Sequence, residues 1–339
     1  MKLIIRMDAY AKIGLGHLSR TITLINQLLK QSSVEIILLV EFDQVSRSIF
    51  ESRVDNEILV IDKNNLSEEE FLLSNINTIK PDKIYFDIIY DYSLDFITSI
   101  KEKAEIIFFQ NNSKSKFKVD KFILPSIHND NEYLNDSRWK EGELSILYHG
   151  SNYVIFNDSL EKYRSNNLIQ KEKIKKIIVT TGGSDPEGVM LKLLSFLNGS
   201  EYEIFALIGV NFIKKDELEI LKRELSSNIH LVDFDYSYFE DCDLVISTFG
   251  VTTYELVYLG IPILSVGHAI PNARGSAVMA SKISSMIDLG LSKELNIEHF
   301  QSSLSKIKKD YSTFQKRAFL NKDVFSKDAV KNIIDLILK

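Results

Sequence analysis

Short apolar runs bounded by turn residues recur along this chain of 339 residues, and most are followed by an amphipathic segment. This alternation is the strongest constraint on the fold. Strands joined through helices form right-handed βαβ units, and a series of them builds a parallel sheet with helices on both faces. In the first half, Lys2–Asp8, Val34–Val40, Glu57–Ile61, Lys83–Ile89, Ile106–Phe109 and Lys121–Leu124 read as strands. Helices are expected over His17–Lys30, Asp43–Ser52 and Leu94–Lys103, and from Ser67, whose capping box with Glu70 opens a helix to about Ile79. Between Ser126 and Ser151 the periodicity fades into polar residues, which reads as a connection between domains. Strands resume at Lys175–Thr181, Glu203–Gly209, Ile229–Val232, Asp243–Ser247 and Gly260–Val266, with helices over Lys214–Leu225, Ile297–Lys309 and Asp328–Leu338. The length fits two domains of roughly 150–170 residues. We place them at 1–149 and 150–339, facing one another across a cleft, with the last helix packing back on the first domain.

Ligands of such sheets bind beyond the carboxyl ends of the strands, which draws attention to Asp8, Glu41, Asp87 and Gln110. After the first strand comes Gly14-Leu-Gly16-His17, where bare backbone permits close approach to a ligand. The helix start offers free N–H groups and a positive dipole end that favours a neutral imidazole, able to accept a proton. Gly182-Gly183-Ser184-Asp185-Pro186 forms a second seat of this design, with Ser184 or Asp185 as helix cap and Pro186 in the first turn. The third loop, Gly250-Val-Thr252-Thr253-Tyr254-Glu255, admits two readings of Glu255: partner of Thr252 in a capping box, or acceptor for the two hydroxyls of a ribose. Gly14-x-Gly16 with Glu41 also invites a nicotinamide reading. Against it, about five residues separate the strand from the first glycine, and Ser19 stands where the third glycine belongs.

A net charge of −6 argues against nucleic acid as the main partner. The lone Cys242 excludes an internal disulfide, and no apolar run reaches the ~18 residues of a membrane span, so a cytoplasmic protein is expected. Neither a metal-ligand spacing, a Walker A loop nor a nucleophile elbow occurs, so no metal and no cofactor is expected. Diphosphate seats, a ribose acceptor and a base together are what a nucleotide-sugar enzyme needs.

The opening Arg6-x-Asp8…Gly14-x-Gly16-His17-x-x-Arg20 resembles that of the PseG/SpsG family, enzymes of pseudaminic acid and spore coat polysaccharide synthesis. The similarity continues through Gly150-x-x-Tyr153, Gly182-Gly183-Ser184-Asp185-Pro186 and Gly250-x-Thr252-Thr253-Tyr254-Glu255-Leu256…Leu259-Gly260-x-Pro262, the last shared more widely with MurG-like glycosyltransferases. The resemblance implies a GT-B architecture of two Rossmann-like domains, with a UDP-sugar as substrate and UDP held mainly by the second domain. It implies metal-independent, inverting hydrolysis at the anomeric carbon, with His17 activating water and Asp8 as a second catalytic residue. Asp8, Gly14 and Gly16 would shape the sugar pocket, Gly182, Gly183 and Ser184 would face the pyrophosphate, and Glu255 the ribose. Arg6, Arg20, Asp87, Gly250, Thr252, Thr253 and Asn272 complete the implied substrate contacts. Two departures fall where the sugar should sit: Asp87-Ile88-Ile89 replaces the family's Asp-His-Tyr, and Asn272-Ala273 its Asn-Gln. The alternative these leave open is a glycosyltransferase moving the sugar to a glycan acceptor.

Overall fold

The computed structural model describes residues 1–10, 16–31, 34–54, 58–128, 134–139 and 145–339; Gly14 and Glu57 lie outside them. The chain divides into two compact units, Met1–Asn157 with Phe325–Lys339, and Asp158–Val324.

In the first unit, β1 (Lys2–Ala9), β2 (Glu35–Phe42), β3 (Leu59–Asp62), β4 (Lys83–Asp87), β5 (Glu105–Phe109), β6 (Lys121–Leu124) and β7 (Ile146–His149) form one parallel sheet in the order β3-β2-β1-β4-β5-β6-β7. The helices α1 (Gly16–Gln31), α2 (Gln44–Arg53), α3 (Glu68–Ile79) and α4 (Leu94–Lys101) alternate with the strands. Ser67 and Glu70 make the expected capping box of α3. Strand β7 corrects the expectation of a plain connection between Ser126 and Ser151. It is a four-residue edge strand with no fully buried residue, and its apolar Ile146-Leu147-Tyr148 is too short to stand out from the polar stretch around it. The strands grow outward from β1 to β3, and the chain then returns to place β4 on the other side of β1. That reversal puts a ligand-binding switch point between the carboxyl ends of β1 and β4, where Met7 pairs with Asp87.

Strand alternation sorts the side chains of this unit into two cores. Leu3, Ile5 and Met7 pack with Leu18, Ile22 and Ile25 of α1, whereas Ile4 and Phe86 pack with Phe71 of α3 and Ile97 of α4. The C-terminal helix Ala329–Leu338 sends Ile333, Ile334 and Ile337 into the α1-side core, and Lys121 Nζ donates to Leu336 O at 2.6 Å.

In the second unit, β8 (Lys176–Thr180), β9 (Glu203–Ile208), β10 (Ile229–Asp233), β11 (Leu244–Thr248), β12 (Ile263–Gly267) and β13 (Met286–Leu291) form a parallel sheet ordered β10-β9-β8-β11-β12-β13. Its switch point lies between β8 and β11. The helices are α5 (Val189–Leu197), α6 (Lys215–Lys222), α7 (Val251–Leu259), α8 (Ile270–Lys282), α9 (Ile297–Lys309) and α10 (Tyr311–Asn321). Strand β13 and helices α8 and α10 were not anticipated in the sequence: β13 mixes buried with half-buried residues, and α8 carries Gly275, a poor helix former, in its interior. Among the described residues no helix is long and apolar enough to cross a membrane.

Ile333 is fully buried although it lies six residues from the last position, whereas Lys331 on the same helix is exposed. We expect Ile333→Ala to lower the unfolding free energy by about 2–5 kcal/mol in urea titrations, and Lys331→Ala to leave it within about 0.5 kcal/mol.

Candidate functional site

At the switch point of the first unit, α1 starts at Gly16 and carries His17 in its first turn, with Arg20 one turn on. Asp87, the last residue of β4, projects to the same face of the sheet as α1 and is 1% exposed. His17 Nδ1 lies 2.8 Å from Asp87 Oδ1 and 3.0 Å from Asp87 O. Arg20 Nε donates to Asp87 Oδ2 at 2.5 Å, and Arg20 Nη2 donates to Asp87 Oδ1. The guanidinium rests over the Phe109 ring, 5.1 Å from its centroid. Burial alone would push the Asp87 carboxyl up, but Arg20 and then His17 outweigh it and hold it at about 2. An ionised Asp87 offers only acceptors, its backbone oxygen is a further acceptor, and both converge on Nδ1. Both acceptors favour the tautomer of a neutral imidazole that carries its hydrogen on Nδ1 and its lone pair on Nε2. Arg20 Nη2 stands 2.9 Å from Nδ1 and gives one of its hydrogens to Asp87 Oδ1.

The other half of the expected sugar pocket faces the opposite way. Arg6 and Asp8, two residues apart on β1, point toward α3. Arg6 is fully buried: Nε and Nη2 each donate to Glu68 at 2.7 Å, Nη1 to Met7 O at 2.6 Å, and both Nη atoms reach Asp8. Asp8 Oδ1 also accepts from Glu41 N at 2.9 Å, and Tyr92 Oη donates to Glu68 Oε1 at 2.8 Å. Burial opposes the Arg6 charge, but Glu68 and Asp8 raise its affinity for the proton; burial likewise lifts Asp8, which Arg6 only partly offsets. This network corrects two expectations. Arg6 has its guanidinium committed inside the protein, and Asp8, expected as a catalytic residue shaping the sugar pocket, is bound to Arg6. Arg20, expected against substrate, is spent on Asp87.

Loops at the carboxyl edge are held from below. Gln110, at the end of β5, adopts a left-handed φ of 56°, which costs a non-glycine residue about 1–3 kcal/mol. The turn brings the buried Asn111 amide under the loop after β4, where Nδ2 donates to Ile88 O at 2.9 Å and Tyr90 O at 3.0 Å.

In the second unit, Gly182 turns left-handed (φ 75°) directly after β8, and Gly183 and Ser184 follow. Their loop is seated on Gly209, where a Cβ would stand 2.3 Å from Gly182 O and 2.5 Å from Gly183 O. Gly267 likewise admits Ala273 N within 2.2 Å of where its Cβ would be. The sequence signal for both was a glycine at the end of an apolar strand. Helix α5 begins later than expected, so Pro186 lies in the turn and Ser184 caps nothing. Asp185 caps it, Oδ1 accepting from Val189 N at 2.9 Å and Oδ2 from Met190 N at 2.8 Å. A carboxylate thus already fills the anion seat expected at α5. Helix α7 has Gly250 at its N-cap and α8 has Ala269, and neither has a side-chain cap. Asn272 Nδ2 donates to Phe249 O at 3.2 Å, tying the two helix starts together.

Thr253, not Glu255, closes the first turn of α7: its hydroxyl accepts from Gly250 N at 3.2 Å. Thr252 stands half-buried beside it. Glu255 lies one turn in, 6% exposed, accepting from Tyr236 Oη at 2.9 Å. Burial pushes its carboxyl up to about 7 against that hydrogen bond, and no basic side chain among the described residues pairs with it. Tyr236 was not visible as a partner in the sequence, since it comes from a different loop. Among the described residues no group of three or more His, Cys, Asp or Glu side chains is placed to hold a metal ion.

A carboxyl raised on folding stabilises the native state fully below its unfolded value, and that contribution disappears as pH rises through about 7. Glu255→Gln removes the dependence. Its unfolding free energy relative to wild type should climb between pH 5 and pH 8 by on the order of 3 kcal/mol, read from urea midpoints at each pH. An unchanging difference would contradict the burial of an unpaired carboxyl.

No protein-family model matches the chain. It is 28% identical over 274 residues to an uncharacterized protein of Methanocaldococcus jannaschii, covering 78% of this chain but 55% of that relative. The chain therefore spans about half the length of that protein. It is 22% identical over 260 residues to the spore coat polysaccharide biosynthesis protein SpsG of Bacillus subtilis, covering 74% of this chain and 75% of SpsG. Among solved structures, a UDP-GlcNAc 2-epimerase from Neisseria meningitidis bound to UDP-GlcNAc superposes with TM-score 0.67 at 14% identity over the full length of both chains. MurG of Acinetobacter baumannii gives 0.65 at 13% identity, covering 100% of this chain and 99% of that one. Two parallel-sheet units of seven and six strands match the GT-B fold, and the chain is a weak homologue of SpsG built on that fold.

Proposed function

We propose that this chain is a hydrolase that releases UDP from a UDP-linked acetamido or deoxy sugar, within surface-glycan or nonulosonic acid synthesis. One observation carries the reading: Asp87 Oδ1 and O both lie within 3.0 Å of His17 Nδ1 at the sheet's switch point, an arrangement that supports a hydrogen on Nδ1 and a basic Nε2. Nε2 removes a proton from water, the water oxygen bonds to the anomeric carbon, and the carbon–oxygen bond to the diphosphate breaks with its electron pair leaving on UDP. Attack opposite the leaving group inverts the anomeric centre. Asp87 and Arg20 are positioning residues, keeping the imidazole in one tautomer and offsetting the charge it gains.

The nucleotide belongs to the second unit. Glu255 would accept from one ribose hydroxyl, because Tyr236 already occupies Oε1. With α5 capped by Asp185, the diphosphate would meet the uncapped N–H groups opening α7, beside Gly250, Thr252 and Thr253, with Gly182-Gly183-Ser184 and Asn272 alongside. Helix ends and backbone carry the diphosphate charge in this scheme without a metal. UDP-GlcNAc and UDP bound to proteins of the same fold support the nucleotide class. The runner-up, a glycosyltransferase, uses the same atoms with an acceptor hydroxyl in place of water. It is favoured by the departure at Ile88-Ile89, where the family's polar pair is replaced by aliphatic residues.

His17→Asn should lower the rate about 10²–10⁴-fold, and Asp87→Asn by a comparable factor through the lost tautomer. In ¹⁸O water the hydrolase places label in the free sugar and none in UDP. UDP release that begins only when a glycan acceptor is added would select the transferase instead.

A further inference from the structure

Strands β8, β11, β12 and β13 of the second unit share a polar row that none of them announces alone. Among aliphatic neighbours, Thr180, Ser247, Ser265 and Asp288 stand at one level, because Ser247 pairs with both Thr180 and Ser265, and Ser265 pairs with Asp288. Partnered residues of parallel strands point to the same face. Val179, Ile246, Leu264 and Leu289, which alternate with the row, belong to the core shared with α5 and α9. The row therefore faces the other way, where Ser276 of α8 meets it. Ser276 Oγ donates to Asp288 Oδ1 at 2.5 Å and lies 3.0 Å from Ser265 Oγ. A hydroxyl has one hydrogen, so Ser265 in turn donates to Ser276. The half of the row nearer the sheet edge is thereby satisfied.

The half at the switch point is not. Thr180 and Ser247 are both fully buried, and among the described residues neither Thr180 Oγ1 nor Ser247 Oγ has a hydrogen-bond partner. Buried polar groups without a partner are rare in native proteins, and leaving one unmet costs more than a hydrogen bond gains. The spacing fits one small bridging molecule. Adjacent strands lie about 4.8 Å apart, and two hydrogen bonds through a single oxygen span up to roughly 5.6 Å. Side-chain size supplies the room. One pleat below on the same face, Ile178, Val245, Ile263 and Met286 fill the level, and the serines above Val245 and Ile263 are shorter. We infer that Thr180 and Ser247 hold one buried water molecule between β8 and β11. Ser265 Oγ, whose lone pairs are not used up by Ser276, is on the same level as a third partner, the usual number for an internal water. With this water the row runs unbroken from Thr180 to Asp288. It ties together the two strands from which the Gly182 and Gly250 loops leave.

The test is a high-resolution crystal structure of the full chain, with Thr180→Val, Ser247→Ala and the double variant compared by urea unfolding. One water is expected at about 2.6–3.2 Å from both Thr180 Oγ1 and Ser247 Oγ, and it should be gone from crystals of the double variant. Thr180→Ser, which keeps the hydroxyl, should keep the water. Each single substitution strips the shared water of a partner and should raise the unfolding equilibrium constant at least about fivefold. The double variant should fall clearly short of the product of the two effects, because one water serves both hydroxyls. Hydroxyls bonded to each other or to main-chain carbonyls with no water between them overturn the inference, as does a water that persists in the double variant. Single variants as stable as wild type, or more stable, also overturn it, since that is the result of removing a dry, unmet hydroxyl.

Discussion

The charge of one buried carboxylate fixes the chemistry at the first switch point. Asp87 is taken out of water at the end of β4, a position that would favour its neutral form, yet Arg20 engages both of its oxygens and keeps it ionised. The consequence passes to His17. Because ionised Asp87 only accepts, it favours an imidazole that donates through Nδ1, and in the proposed reaction the other nitrogen is the base. Without Arg20 the carboxyl would gain a proton more readily and the donor–acceptor direction would no longer be fixed. Arg20 has a stable seat of its own on Phe109, so the helix turn between His17 and Arg20 sets the spacing of the whole triad.

The second buried charge cluster serves the first without touching it. Arg6 on β1 is enclosed by Asp8 and Glu68, an arrangement whose disruption by losing one partner costs about 3–5 kcal/mol. Through Glu68 it anchors Tyr92, and through Tyr92 the loop that follows Asp87. The β1 strand therefore supports the edge from both faces: apolar residues hold α1 and its histidine, and the alternate polar pair holds the β4 loop. The second unit handles charge differently. Its helix α5 is closed by Asp185, while Glu255 is buried against the Tyr236 phenol, and the start of α7 has no side-chain cap.

Much of the fold was legible because a parallel strand buried on both faces is a run of aliphatic residues, as in Leu244–Thr248, and because Ser67 and Glu70 state a helix start locally. Strand β7 was not legible, since its apolar stretch is only Ile146-Leu147-Tyr148 at a sheet edge. His17 was found from a glycine loop opening a helix, and Asp87 from its place at a strand end. What the sequence concealed was partnership. The pairing of His17 with Asp87 spans 70 positions, and nothing local distinguishes Asp8, which faces the other side of the sheet. Likewise the Thr252–Glu255 spacing matched a capping box, but the helix starts so that Thr253 takes that part and Glu255 is left buried one turn on.

The central claim is the tautomer of His17, and nitrogen NMR of the imidazole reads it directly. In protein labelled with ¹⁵N at histidine, at a pH where the ring is neutral, the account predicts a protonated Nδ1 and an Nε2 with the shift of an unprotonated ring nitrogen. In Asp87→Asn that assignment should be lost. A wild-type spectrum with the proton on Nε2 would contradict the account, because the ring would then present a donor where the proposed hydrolysis uses a base.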